Sequence, residues 1–444
     1  MPKYFGTDGI RGIPFKFPLE PDFIKKIGYA VSKKLKNSAK TVFIARDTRK
    51  SGTKIIDYLS SGINSAGLKV LDLGIITTPS LSYILSKNKV SFGIMVSASH
   101  NPPEFNGIKV LNSKGEKISE KTEEEIEKLI DLCDEIKTAK KISNKKDMSF
   151  VYCDYVVSAF KGEIKDIDAV LDCSNGSAYK IAPYIFKNLN LKFHLIGSKP
   201  NGNNINIGCG ALDTELMVKN VLKLKAFCGI SYDGDSDRCM ISDENGDIVD
   251  GDDIIAFLSV YYKKNKTLKN NCVVLTHMSN YGLLRFLKEN KVKVISVDVG
   301  DRNVSHAMDK YGSVLGGEPS GHIIIKKYLP TGDGIITSLE FLKAVTKTGI
   351  KVGDVKKMWK RFPSHLKSYS VKSRPEIKKL DGFLKEVKNM EEKINGRIFV
   401  RYSGTEPVLR VLIEADKERR ELEEISLKIF DIYNNAAKKL NILI

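Results

Sequence analysis

Three times the chain repeats one local grammar: an apolar run, then a cluster of Ser, Asn, Asp or Gly, then an amphipathic helix pattern. The units are TVFIARDTRKSG from Thr41, DAVLDCSNGSAYKIAPYIF from Asp168 and NCVVLTHMSNYGLLRFLKE from Asn271. A strand that is apolar on both faces has to be covered on both, and a helix from the same unit can do this through a short connection. The repetition therefore predicts layered α/β domains with largely parallel strand pairing. A length of 444 residues suits about three domains at roughly 150 residues each. The Lys- and Glu-rich helix pattern SEKTEEEIEKLIDLCDEIKTAKKISNKKD closes the first domain near residue 150, and DENGDIVDGDD marks a turn-rich seam near residue 250. KKMWKRFPSH precedes a last segment with fewer elements and heavier charge.

The bulk numbers exclude several classes. Hydrophobic residues make up 42% of the chain and charged ones 28%, an ordinary balance for a globular protein. No apolar run approaches the ~18 residues that span a bilayer. MPKYFGTDGIRG has no basic start followed by an apolar core, so neither a membrane partner nor a secretory signal is expected. The seven cysteines are scattered from Cys133 to Cys272 with no CxxC pair, which argues for reduced thiols in a cytoplasmic protein and against a disulfide frame or zinc site. A net charge of +18 invites a nucleic-acid reading, but only 13 of the 72 basic residues are arginine and the lysines are spread along the whole chain. Nucleic-acid binders cluster their basic residues and favour arginine forks. No nucleic-acid partner is expected; part of the charge can serve an anionic small substrate.

Four stretches carry chemistry. In MVSASHNPPEFNGIKVL an apolar strand, Phe92 to Val96, runs straight into Ser97, Ser99, His100 and a proline-stiffened loop. Hydroxyls at a strand exit also serve as plain turn caps, and the residues alone do not choose between Ser97 and Ser99. SYDGDSDRCM sets Asp233, Asp235 and Asp237 at alternate positions, which in an extended chain point to one face. Three such charges repel unless a cation sits among them, and hard oxygen ligands suit Mg2+. A phosphatase with an Asp-x-Asp nucleophile is the rival reading. An EF-hand is excluded, because Arg238 stands where that loop needs glycine. GGEPSGH offers Glu318, Ser320 and His322 on a glycine loop, suited to sugar hydroxyls or to an ordinary turn. GRIFVRYSGTEPVLRVLIEA places Arg401, Ser403, Gly404, Thr405 and Arg410 between two strands, where arginine forks, hydroxyls and glycine-freed N–H groups suit a phosphate dianion. His194, His277, His306 and His365 carry no partner pattern and read as structural.

FGTDGIRG, SASHNP, DGDSDR, GGEPSGH and RYSGTEPVLR, in this order from Phe5 to Arg410, resemble the α-D-phosphohexomutase family over nearly the whole chain. FGTDGIRG, VGDR at Val299 and TGDG at Thr331 are most similar to its bacterial branch acting on glucosamine phosphates. The resemblance implies three similar mixed α/β domains plus a smaller α+β C-terminal domain around a central cleft, placed at 1–150, 151–250, 251–362 and 363–444. It implies that Ser99 carries a phosphoryl group, and that Mg2+ is held by Asp233, Asp235, Asp237 and the Ser99 phosphate. Glu318 and Ser320 would bind the sugar, and Arg401, Ser403, Gly404, Thr405 and Arg410 the phosphate that is not reacting. Arg11, His100 and Lys109 are candidates for the reacting end, with Lys109 or His322 for proton transfer. The implied activity interconverts glucosamine 6-phosphate and glucosamine 1-phosphate through a 1,6-bisphosphate, for amino-sugar nucleotide and cell-wall precursors. Mutases of mannose and glucose phosphates are the alternative. A kinase or sugar bisphosphate would prime Ser99. Pro319 in a variable slot and Tyr402 in place of a usual proline depart from the family pattern without removing a group the chemistry needs.

Overall fold

Residues 3–134, 136, 143–403 and 407–439 are described by the structure, a computed structural model, and they form four sheets. The first sheet runs in the order Ile10–Gly12, Asn106–Asn112, Phe92–Val96, Thr41–Arg46, Lys69–Ile75 and Ser143–Lys145. Its last four strands pair in parallel, as the strand–helix grammar predicts; the first two are antiparallel additions at one edge. Alternate residues Val42, Ile44, Ile94 and Val96 face helix residues Ile24, Ile27, Ile55 and Leu59 in one core. The second sheet runs Ile248–Val249, Cys239–Ser242, Cys228–Tyr232, Asp168–Asp172 and Lys192–Ile196. The third runs Lys293–Val297, Cys272–Thr276, Leu315–Gly317 and Ile323–Ile325. Both again join a parallel set to an antiparallel edge.

The antiparallel edges position the chemistry. Each of the three sheets ends its parallel set in a hairpin: Val96 to Asn106, Tyr232 to Cys239 and Gly317 to Ile323. These three turns carry SASHNP, DGDSDR and GEPSGH. The fourth sheet, Ser364–Ser370, Val408–Glu414 and Arg397–Tyr402, is antiparallel throughout, and the RYSGTEP stretch lies between its paired strands Arg397–Tyr402 and Val408–Glu414.

Contacts divide the chain into two bodies. Residues 1–276 with 292–358 hold the first three sheets, and residues 277–291 with 359–444 hold the fourth. The helix of the third repeated unit, Tyr281–Glu289, thus belongs to the C-terminal body, where the Asn280 side chain donates to the Phe362 carbonyl at 2.9 Å and accepts from its N–H at 3.0 Å. That body has its own core of Leu409, Val411 and Ile413 against Phe383, Leu422 and Ile429. No helix among the described residues is long and apolar enough to cross a membrane, and the seven cysteines are free thiols.

Within TGDG, Asp333 caps the helix Gly334–Thr348: it accepts from the Ile336 N–H at 2.9 Å and from the Tyr152 hydroxyl at 2.7 Å. Burial outweighs both bonds and pushes its pKa up to about 7. An unfolded Asp titrates near ~3.9. The folded protein therefore keeps a proton that the unfolded chain loses, and this stabilisation fades as pH rises from about 4 to 7, by at most ~1.4 kcal/mol per pH unit. Asp333→Asn keeps the cap acceptor without the titration. Its melting temperature relative to the unchanged protein is expected to climb between about pH 5 and pH 7 and then level off. A difference independent of pH across that range would refute the assignment.

Candidate active site

Ser99 is fully buried and takes a left-handed backbone with φ 51°, a conformation that costs a residue with a β-carbon roughly 1 kcal/mol or more. The surrounding loop holds it there. Ser97 Oγ donates to Asp47 Oδ2 at 2.7 Å and accepts from the Ser99 N–H at 2.9 Å, so this hydroxyl is committed to the loop. Ser99 Oγ instead donates to Asp233 Oδ2 at 2.5 Å, with His100 Nδ1 3.4 Å away. Of the two serines, it is Ser99 that faces the aspartates.

Arg49, buried completely, ties the loop together. Its Nε meets Asp47 Oδ2 at 2.9 Å, Nη2 donates to the carbonyls of Ser99 at 3.0 Å and Asn101 at 2.7 Å, and Nη1 donates to those of Pro102 and Phe105. Asn206 Nδ2 donates to the same Ser99 and Asn101 carbonyls at 2.9 and 3.0 Å. The sequence pattern singles out none of Asp47, Arg49 and Asn206. An Asp-x-Arg pair just after the strand Thr41–Arg46, with its apolar run Val42–Ala45, is the signal that was available for the first two.

Asp233, Asp235 and Asp237 are buried, and one carboxylate oxygen from each lies within 4.8 Å of the others. They converge, but not by strand alternation. Residues 233–237 form a turn in which the Ser236 N–H bonds the Asp233 carbonyl at 3.0 Å and Ser236 sits at φ 63°. The chain folds back on itself and brings the three side chains to one point. Burial and then the neighbouring carboxylates push Asp233 well up and Asp235 up, whereas Asp237 is drawn down, against its burial, by Lys109 and His322. The buried Oδ1 atoms of Asp235 and Asp237 have no hydrogen-bond partner. Three converging carboxyl groups, two of them with an orphaned oxygen, fit a small divalent cation.

The Lys109 ammonium lies against the same cluster, 2.7 Å from Asp235, 3.2 Å from Asp237 and 2.9 Å from Asp8. Burial opposes its charge, but these carboxylates hold its pKa well above the ordinary lysine value. Asp8, in FGTDGIRG, is a residue the sequence reading misses: it pairs with Arg11, Lys109 and Lys117, and Lys117 also pairs with Asp301. Arg11 reaches the serine loop, Nη1 donating to Asn101 Oδ1 at 3.3 Å. Burial, then Arg238 and Arg11, lower the His100 pKa to about 4, so its ring is neutral near pH 7.

A β-bridge between Arg238 and His322, with the Cys239 N–H on the Gly321 carbonyl at 3.2 Å, stitches the aspartate hairpin to the loop of Glu318, Ser320 and His322. Glu318 accepts from the Gly300 N–H at 3.1 Å, which ties this loop to VGDR. Ser320 Oγ and both ring nitrogens of His322 are buried without a hydrogen-bond partner.

In the C-terminal body, register places Arg401 directly opposite Arg410 on neighbouring strands. Ser403 is buried, its carbonyl accepting from Arg374 Nη1 at 3.0 Å. Gly404 and Thr405 lie outside the described residues.

Family models described as phosphoglucomutase/phosphomannomutase α/β/α domain I, α/β/α domain III and C-terminal domain match residues 2–137, 250–362 and 350–432. The chain is 41% identical over 433 residues to a phosphoglucosamine mutase of Bdellovibrio bacteriovorus, covering 94% of this chain and 95% of that one. A phosphoglucosamine mutase of Fusobacterium nucleatum is 39% identical, with coverage of 94% and 96%. In fold it is similar to a phosphoglucomutase/phosphomannomutase family protein of Burkholderia thailandensis, with a TM-score of 0.77, 21% identity and coverage of 99% and 98%. It also resembles the N-acetylphosphoglucosamine mutase of Aspergillus fumigatus solved with GlcNAc-6P and magnesium, with a TM-score of 0.66, 17% identity and coverage of 98% and 96%. The chain belongs to the phosphoglucomutase/phosphomannomutase family.

Proposed function

We propose that the chain is a phosphoglucosamine mutase, an isomerase that interconverts glucosamine 6-phosphate and glucosamine 1-phosphate with Ser99 as the phosphoryl carrier. The observation that carries the chemistry is the Ser99 hydroxyl, held 2.5 Å from Asp233 at the edge of three buried carboxylates. The substrate rests on the names of the two relatives with which nearly the whole chain aligns.

Asp233, Asp235 and Asp237 would hold Mg2+ together with the Ser99 phosphate. When bound, the cation neutralises charge on the transferring phosphoryl group, the dominant need in a transfer that requires little covalent help. The residues of this chain do the rest. The phosphorus–Ser99 Oγ bond breaks as the sugar hydroxyl oxygen bonds to phosphorus, and the hydroxyl proton passes to a base. His322, whose buried ring nitrogens make no hydrogen bond and whose Nε2 lies 3.6 Å from Asp301 Oδ2, suits that role; Lys109, held charged by its carboxylates, suits stabilisation of the phosphoryl oxygens. The resulting 1,6-bisphosphate, turned over, returns its other phosphoryl group to Ser99 Oγ. Arg11 and neutral His100 flank the reacting end. Glu318 and Ser320 read the sugar hydroxyls. Arg401 and Arg410, with Ser403, Gly404 and Thr405, grip the phosphate at rest. A kinase or the bisphosphate itself primes Ser99, and the reaction serves cytoplasmic amino-sugar synthesis.

The test is kcat/KM for the 6-phosphates of glucosamine, glucose and mannose on one phosphorylated preparation. Glucosamine 6-phosphate is expected to lead by about tenfold, which is ~1.4 kcal/mol of differential binding. A lead for glucose or mannose would overturn the substrate and leave a mutase of the other branch.

A further inference from the structure

Lys109 and a divalent cation would draw on the same two carboxylates. The lysine bonds Asp235 Oδ2 at 2.7 Å and Asp237 Oδ2 at 3.2 Å, both members of the three-carboxylate cluster. It is buried, so on losing these partners its ammonium would be left without water to replace them. Asp8 is the third carboxylate within reach, at 2.9 Å, and it stands outside the cluster.

Backbone geometry holds Asp8 in place. The turn Gly6–Gly9 closes with the Gly6 N–H on the Gly9 carbonyl at 3.0 Å. The next strand then pairs with the one that carries Lys109, Ile10 opposite Ile108 and Arg11 opposite Gly107. Gly9, at φ 82°, allows this approach, since a β-carbon there would lie 2.4 Å from the Ile108 carbonyl oxygen. Arg11, Lys109 and Lys117 surround the Asp8 carboxylate, and they outweigh its burial to hold its pKa well below the ordinary value.

We propose that Asp8 is a positioning residue that retains the Lys109 ammonium when a divalent cation takes Asp235 and Asp237, so that the lysine yields the cluster without losing its partner. This rests on the reading of the three aspartates as a cation site. Without the Asp8 carboxylate, the lysine has only Asp235 and Asp237 as charged partners, and a cation drawing on them weakens its hold on both.

Calorimetric titration of Mn2+ into the unphosphorylated protein separates the possibilities. Asp8→Asn is expected to weaken Mn2+ binding about tenfold, and the same change in a Lys109→Met background by less than about threefold, because the competitor is gone. Equal affinity for Asp8→Asn and the unchanged protein would overturn the inference, as would equal weakening in both backgrounds. Absence of Mn2+ binding to the unchanged protein would overturn the cation reading and this inference with it. Should Asp8→Asn fail to fold, 15N detection of lysine ammonium groups in the unchanged protein decides. The Lys109 signal is expected to remain protected from exchange on addition of Mg2+, and its loss would overturn the proposal.

Discussion

Replacing Ser99 with alanine is expected to lower mutase turnover by about 10⁴-fold or more, since it removes the atom that carries the phosphoryl group. The fold should tolerate the change. Ser99 Oγ bonds to Asp233 and within the loop makes only a long contact, 3.4 Å to His100 Nδ1, while the bonds that shape the turn use the Ser99 N–H and carbonyl, which alanine retains. Ser97→Ala should do the opposite. It removes a hydroxyl that bonds Asp47 at 2.7 Å and receives the Ser99 N–H at 2.9 Å, so two buried groups lose a partner at a cost of about 1–3 kcal/mol. Its protein should nevertheless accept phosphate. Intact mass with site mapping and steady-state turnover on both variants decide the matter. Phosphate on Ser97, or near-normal turnover in Ser99→Ala, would refute the assignment.

Arg49→Met is expected to be the most destabilising single change near the site, at about 3–5 kcal/mol, because it leaves the buried Asp47 carboxylate without its cation. It also strands the Phe105 carbonyl, and leaves those of Ser99 and Asn101 to Asn206 and that of Pro102 to the Phe105 N–H. Adding Asp47→Asn should recover part of the loss, since no unpaired charge then remains in the interior. Arg49→Lys keeps the charge but is a single point donor that cannot serve four carbonyls and a carboxylate together. It should therefore lose more activity than stability. Chemical denaturation of the four proteins measures this. An Arg49→Met protein as stable as the unchanged one would show that the loop does not depend on the arginine.

Much of this molecule is local in origin. An apolar run followed by Ser, Asn or Asp and an amphipathic pattern can fold in few ways, because each strand needs cover and each helix has one apolar stripe. The three parallel strand sets follow from neighbours in sequence. What local patterning cannot reveal is the antiparallel edge of each sheet. A strand such as Cys239–Ser242 or Ile323–Ile325 is short, and its partner is set by a hairpin whose turn serves chemistry rather than regular structure.

The candidate site divides in the same way. The residue types at Ser97, Ser99, Asp233, Asp235 and Asp237 mark a candidate hydroxyl and a candidate cation site from sequence alone. The aspartates converge for a reason the spacing does not contain, since a tight turn at Ser236 replaces strand alternation. The choice of Ser99 over Ser97 depends on Asp47, 50 residues away from Ser97, and on Asp233, 134 residues away from Ser99. Arg49 and Asn206 stand outside the motifs, and Asp8 sits within FGTDGIRG without a role that its sequence shows; all three act through partners distant in sequence. Composition and periodicity determined what kind of layers the chain builds and which groups could do chemistry. Tertiary structure decided which hydroxyl faces the carboxylates and which charges surround it, because long-range electrostatic and hydrogen-bond pairing is set by the meeting of separate hairpins and leaves no periodic trace in the chain.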